Sequence, residues 1–406
     1  MNRSVLAEHL RQGDHVVVGQ ATAEPVGLVG ELFTLAAGLG QVNVFCGFSL
    51  NPAWGSTPIA AALRVSTYCG LGTIRHLVGR GAARVMPAQL SQLVSYFESG
   101  VLKADVVLLQ VSPADAEGYH SLGCVLDYVW VAAQAARVVL VEINPNVPHT
   151  RSARRLHGSR VVVARETDLP LPELSSEVPD ERQLTIGRNV ARLVPDGAII
   201  QLGIGSMAAA VARALSQHRG LRVRSGMVGD WLLELLASGA IDTTDREACL
   251  ASLAVGSRRL YDFSGPGSLL SFAAPEQLVA PRGQAAGAPF MAINSALEVD
   301  LCGQANAEFL GTRYVGAIGG QADYFRAARR SPGGLAIVAL ASTVGVPSKN
   351  RVVARLNNAY VTTAQSDIDV LVTEFGVADI RATTLAERRS LIAALADPQF
   401  RPALDP

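Results

Sequence analysis

Short β-branched runs alternate with Ala- and Leu-rich segments of helical period through the first part of the chain. HVVVG leads into EPVGLVGELFTLAAGL, and ADVVLLQVS is followed by VLDYVWVAAQAA and then RVVLVEIN. Continuous apolar strands are those covered by helices on both faces, so the alternation predicts βαβ units on a mostly parallel sheet. The rhythm breaks between Asp168 and Glu181, DLPLPELSSEVPDE, where Pro170, Pro172 and Pro179 stand among acidic residues and read as a linker. After it the pattern restarts. DHVVVGQATAEPVGLVGEL, from Asp14, and DGAIIQLGIGSMAAAVARAL, from Asp196, share an aspartate, a β-branched strand, a small-residue turn and an apolar helix. The expectation is an α/β protein of two similar open domains, residues 1–175 and 183–406. Reacting groups in such sheets collect beyond the carboxyl ends of the strands, which puts the expected site in a cleft at the interface of the two.

Composition narrows the function more than the fold. At 406 residues and 49% apolar the chain can bury more than one core. Its 35 basic and 35 acidic residues balance and are scattered, leaving no electrostatic footprint for nucleic acid or an anionic membrane. Cys46, Cys69, Cys124, Cys249 and Cys302 are far apart with no CxxC pair, which fits a reducing cytoplasm better than a disulfide framework or a structural zinc site. There is no apolar run of about 20 residues, and no secretory pattern at the N-terminus. His9, His15, His76, His120, His149, His157 and His218 show no metal-ligand spacing, so no metal is expected. Neither a GxSxG elbow nor a GxxxxGK[ST] loop occurs. Small-molecule chemistry remains.

Four segments can carry it. Gly203-Ile204-Gly205 ends a strand and opens a helix, where backbone N–H groups and the helix dipole favour an oxyanion; a turn needing positive φ explains the same residues. Gly316, Gly319 and Gly320 precede a helical stretch and can bring several N–H groups to a ligand, or simply turn the chain. In NSALEVDLCGQANAE, which begins at Asn294, Glu298 and Asp300 alternate in a β-like run. They can face a cleft or a solvated edge. Glu374 closes an apolar strand just before a glycine turn, at the sheet edge where reacting groups gather.

Taken together and in order, LLQVSPADAEGYHSLG, VEINPNVPHT, QLGIGS, INSALEVDLCGQANAE, GAIGGQADYFRAA, VTTAQSDIDVLVTEFGVADIR and ERRSLIAALADPQFRPAL resemble the acetyl-CoA hydrolase/transferase family, class I CoA-transferases that include acetate and 4-hydroxybutyrate CoA-transferases. The resemblance covers nearly the whole chain. It implies a CoA thioester as substrate with no permanently bound cofactor, and a homodimer or higher homo-oligomer. In that family a glutamate just after the strand that follows the GIG helix attacks the thioester, and CoA then passes to a second acid by ping-pong kinetics. Here the matching stretch is RVRSGMVGD, and the nucleophile's position holds Gly226.

The resemblance leaves Gly203, Ile204, Gly205, Gly319 and Gly320 as the thioester and oxyanion framework, with Asn294 and Glu374 near the reaction centre. The leading expectation is acyl transfer to a non-carboxylate acceptor, or hydrolysis, with Glu374 as general base. The alternatives are decarboxylation or carbon–carbon cleavage of a CoA ester, conventional transfer with a displaced nucleophile such as Glu298, and a non-catalytic CoA-binding subunit.

Overall fold

The computed structural model describes residues 4–56, 59, 61–175, 178–279, 287–356 and 360–404. The chain divides into two units: Met1–Leu174 with Ala251–Pro275 and Tyr314–Gly319, and Ser175–Leu250 with Glu276–Arg313 and Gly320–Pro406.

The first unit is built on seven strands: β1 His15–Val18, β2 Val42–Cys46, β3 Leu63–Thr67, β4 Ala83–Val85, β5 Val106–Val111, β6 Val138–Ile143 and β7 Val162–Glu166. They run parallel in the order β4-β3-β2-β1-β5-β6-β7. Every residue of β5, VVLLQV, is buried, the burial its unbroken apolar run requires. The crossover helix Val26–Leu39 buries Leu28, Val29, Leu32, Phe33 and Ala36, the i, i+1, i+4, i+5, i+8 stripe of a helix lying on a sheet, and stops where Gly40 takes φ 77°.

In the second unit β8 Ile199–Leu202, β9 Arg222–Val228, β10 Phe290–Asn294, β11 Leu335–Ala339, β12 Val370–Thr373 and β13 Gly376–Asp379 follow the order β9-β8-β10-β11-β12-β13. The final pair is antiparallel and the others are parallel. The first strand of each half therefore sits inside its sheet, flanked by the next strand and by a later one, as the repeated pattern predicts. Leu202 pairs with Ile293, a register that brings Gly203 and Asn294 out side by side at the carboxyl edge.

The linker is shorter than its composition suggests. Leu171 is buried, the Leu174 N–H donates to the Gly256 carbonyl at 3.0 Å, and the Tyr261 hydroxyl donates to the Pro172 carbonyl at 2.8 Å. Apolar side chains and carbonyls that find partners in the first unit hold this half down. At the other end Asp180 caps the helix Glu181–Ala191 reciprocally with Gln183. Residues 176 and 177 lie outside the described residues. No helix among the described residues is long and apolar enough to cross a membrane.

Candidate active site

At the carboxyl edge of the second sheet a cleft of about 50 Å³ is lined by Leu202, Gly203, Ile204, Met207, Ala208, Val211, Ile293, Asn294 and Ser295. It has room for a few heavy atoms and no carboxylate in its wall. Gly205 has φ 91°, a conformation that L side chains rarely adopt, and stands at the N-cap of the helix Ser206–Ala214 with no side-chain cap. The first-turn N–H groups are thus without an intrahelical acceptor, and they carry the positive end of the helix dipole. A methyl group built on Gly203 would meet nothing within 4 Å. Packing does not demand glycine there; the space in front of it is open. The Gly203 carbonyl is anchored by the Trp231 indole N–H at 2.8 Å.

Asn294 is clamped by a reciprocal amide pair with the buried Gln201. Its Nδ2 donates to Gln201 Oε1 at 2.7 Å, and Gln201 Nε2 donates to Asn294 Oδ1 at 3.3 Å. Because a carboxamide carries two N–H donors, one remains for the cleft.

The acidic candidates form a second group. Glu374 lies in the turn between β12 and β13, its Oε2 accepting from the Ser342 N–H at 2.9 Å and its Oε1 from the Ser342 hydroxyl at 2.8 Å. Glu298 sits on the short strand Glu298–Asp300, with Asn306 Nδ2 at 3.5 Å from its Oε2. Burial pulls the pKa of the partly buried Arg351 guanidinium down, while the charges of Glu298 and Glu374 pull it up. Arg351 in turn donates to the carbonyls of Leu297 and Ala296. Neither glutamate lines the cleft of Gly203 and Asn294.

The glycines after residue 315 play different parts. Gly319, φ 57°, belongs to the first unit, where its carbonyl accepts from the Leu90 N–H at 2.9 Å. Gly320 belongs to the second and makes room for an aromatic ring: a Cβ on it would lie 2.7 Å from Tyr324 Cε2. Gly226, within β9, does the same on the other side, since a Cβ there would lie 3.0 Å from the Tyr324 hydroxyl and 3.3 Å from its Cε2. Tyr324 is 4% exposed, and burial, with Asp323 beside it, pushes its phenol well above the ordinary range, so it stays a neutral donor. Sequence reasoning missed this residue. Two glycines without side chains facing one position on the following helix Gln321–Arg330 are a signal that only tertiary packing makes legible.

The comparisons decide the family. Residues 1–162 match the Acetyl-CoA hydrolase/transferase N-terminal domain and residues 256–406 the C-terminal domain of the same name. The 4-hydroxybutyrate coenzyme A transferase of Clostridium kluyveri is 34% identical over 338 residues, 82% of this chain and 79% of that one. The chain belongs to the acetyl-CoA hydrolase/transferase family. Its relatives also include the acetyl-CoA hydrolase of Kluyveromyces lactis, 30% identical over 234 residues, which are 55% of this chain and 42% of that protein. The crystal structure of 4-hydroxybutyrate CoA-transferase from Porphyromonas gingivalis superposes with a TM-score of 0.81 at 31% identity, covering 98% of this chain and 94% of that one. The family's substrates are CoA thioesters, and this chain is an enzyme of the acyl-CoA transferase or hydrolase class. Among the described residues no group of His, Cys, Asp and Glu could hold a metal ion.

Proposed function

We propose that the enzyme holds an acyl-CoA thioester with its carbonyl at the cleft of Gly203, Ile204 and Asn294, and passes the acyl group to water or to a small non-carboxylate nucleophile. The observation that carries this reading is Gly226 with Tyr324 pressed against it. A glutamyl intermediate needs a carboxylate oxygen within about 3 to 3.5 Å of the thioester carbon. At the position that resemblance assigns to it there is no side chain, and a Cβ placed there would lie 3.0 Å from the Tyr324 hydroxyl.

The remaining groups support attack by an outside nucleophile. N–H donors of the helix start and of Asn294 stabilise the developing oxyanion. Glu374, held by Ser342, keeps lone pairs free to take a proton, because an ionised carboxylate has about four acceptor positions. In hydrolysis the water oxygen bonds to the carbonyl carbon, a base removes the water's proton, the carbon–sulfur bond breaks, and the departing thiolate receives that proton; the base in this proposal is Glu374, acting from outside the residues that line the cleft.

A second reading is conventional CoA transfer through a displaced carboxylate, with Glu298 and Glu374, whose charges both act on Arg351, as the candidates. The two separate in one experiment. The protein is incubated with a panel of acyl-CoAs, alone, with amine or alcohol acceptors, and with carboxylic acids, while free thiol is followed. Thiol release without any acid is expected. Release of the acyl group only when an acid is present, together with a hydroxylamine-labelled glutamate, would make this an ordinary transferase.

A further inference from the structure

A larger pocket in the second unit takes no part in the site above. Its volume is about 820 Å³, and Arg355, Arg389 and Arg401 line it around an apolar wall that includes Leu301, Leu385 and Leu404. No carboxylate lines it. Arg355 and Arg389 have no hydrogen-bond or ion-pair partner among the described residues, and Arg401 pairs with no carboxylate among them. Arg401 is held in place by its Nε donating to the Ala396 carbonyl at 3.0 Å, with its guanidinium 5.6 Å from the Phe375 ring centroid. The neighbouring Arg388 ties the carbonyls of Cys302, Gln365 and Ile380 together, which braces the wall without adding a free charge to the pocket.

Arg355, Arg389 and Arg401 line one space with no carboxylate among the lining residues, and like charges gathered in this way repel each other. An anion relieves the repulsion. Guanidinium forks match phosphate oxygens in pairs, whereas the leucine wall, with Leu385 62% exposed, offers apolar surface for the rest of a ligand. The volume falls in the range of small-molecule sites.

We propose that this pocket binds a nucleoside phosphate, the arginines taking the phosphates and the leucine wall the nucleoside. That chemistry has two sources, a free nucleotide or the nucleotide end of CoA itself. Only the second rests on the function proposed above.

The test is calorimetric titration of the full chain with adenosine 5′-diphosphate and, separately, with CoA, followed by competition of one against the other. Both arginines to be changed are exposed and outside the catalytic cleft, so the Arg355→Ala/Arg389→Ala double variant is expected to melt like the parent. Its affinity should fall by at least about 100-fold, and parent binding should weaken as salt rises. Displacement of ADP by CoA, with a raised KM and unchanged kcat for thiol release in the double variant, assigns the pocket to the substrate's nucleotide end. ADP that stays bound under saturating CoA assigns it to a free nucleotide. Either result upholds the site, and absent thiol release leaves the ADP arm standing. No heat with either anion, or affinity unchanged in the double variant, overturns it. So does a change of oligomeric state on Arg389→Ala without anion binding, which would make the pocket a contact between copies.

Discussion

The carboxyl edges of the two sheets begin from the same arrangement and put it to opposite uses. After β1 the chain turns inward through Ala21–Ala23 and buries its polar groups. Glu24 accepts from the Ser49 hydroxyl at 2.6 Å, Asn51 Nδ2 at 3.0 Å and the Trp54 indole at 2.7 Å. Gln20 Oε1 takes the Phe48 N–H at 2.9 Å and the Tyr68 hydroxyl at 3.1 Å, while its Nε2 donates to the buried Asp127. After β8 the corresponding turn is Gly203-Ile204-Gly205, which fills nothing and faces a cleft. One edge ties most of its polar side chains to one another, with the Thr22 and Tyr128 hydroxyls left over; the other leaves donors for a ligand. A shared topology thus fixes where a site can form, and the turn residues decide whether it does.

The sharpest way to break the comparison is to give each edge the same methyl group. In Gly47→Ala the new Cβ would lie 2.4 Å from Gln20 Oε1 and 2.5 Å from the Tyr128 hydroxyl, so a loss of about 3 kcal/mol or more is expected in urea unfolding. Gly203→Ala meets nothing, and its stability should stay within about 0.5 kcal/mol of the parent while thiol release falls roughly 10²-fold. Equal stability losses would erase the distinction.

The next test uses pH. Burial raises the Glu24 carboxyl from 4.5 to about 7, outweighing its hydrogen bonds from Ser49, Trp54 and Asn51. The folded chain therefore keeps a proton that the unfolded chain releases. The associated stability is full below pH 4.5 and is lost as pH climbs through 7, by up to roughly 3 kcal/mol. Asp127, raised by burial to about 6, acts in the same direction. Melting temperatures measured from pH 4.5 to 8 should fall in the parent and fall less steeply in Glu24→Gln, where Asp127 keeps the remaining slope; identical slopes would show that Glu24 does not titrate.

The smallest expected signal concerns β9. Gly226→Glu alone should give no borohydride- or hydroxylamine-trapped glutamyl thioester, because the Tyr324 hydroxyl occupies the path. Gly226→Glu/Tyr324→Phe, which removes the 3.0 Å contact, should give a minor labelled fraction by mass spectrometry. Full labelling of the single variant would show that the phenol is no obstacle.

Much of this was legible in the sequence, for physical reasons that differ by element. Strands such as VVLLQV announce themselves because burial on both faces leaves no polar alternation to confuse the reading. The GIG turn and the glycine at position 226 are visible as residue types alone. Other features depend on which chain segment happens to lie opposite, something no local pattern encodes. Tyr324 reads as an ordinary helical residue until Gly320 and Gly226 are seen around it, and Arg351 as a surface arginine until the carbonyls of Leu297 and Ala296 are found holding it. Arg355, Arg389 and Arg401 are scattered in sequence and converge only in the fold.

The first unit is not a continuous piece of chain, for it also includes Ala251–Pro275 and Tyr314–Gly319. During synthesis it cannot be completed when Leu174 leaves the ribosome. It has to wait until residue 319 has emerged, with the loops and helix start around its sheet in the meantime lacking the backbone partners that Gly256, Gly316 and Gly319 supply to Leu174, Gly70 and Leu90. A gene cut at the proline-rich segment would accordingly yield an unfinished N-terminal product rather than an autonomous domain.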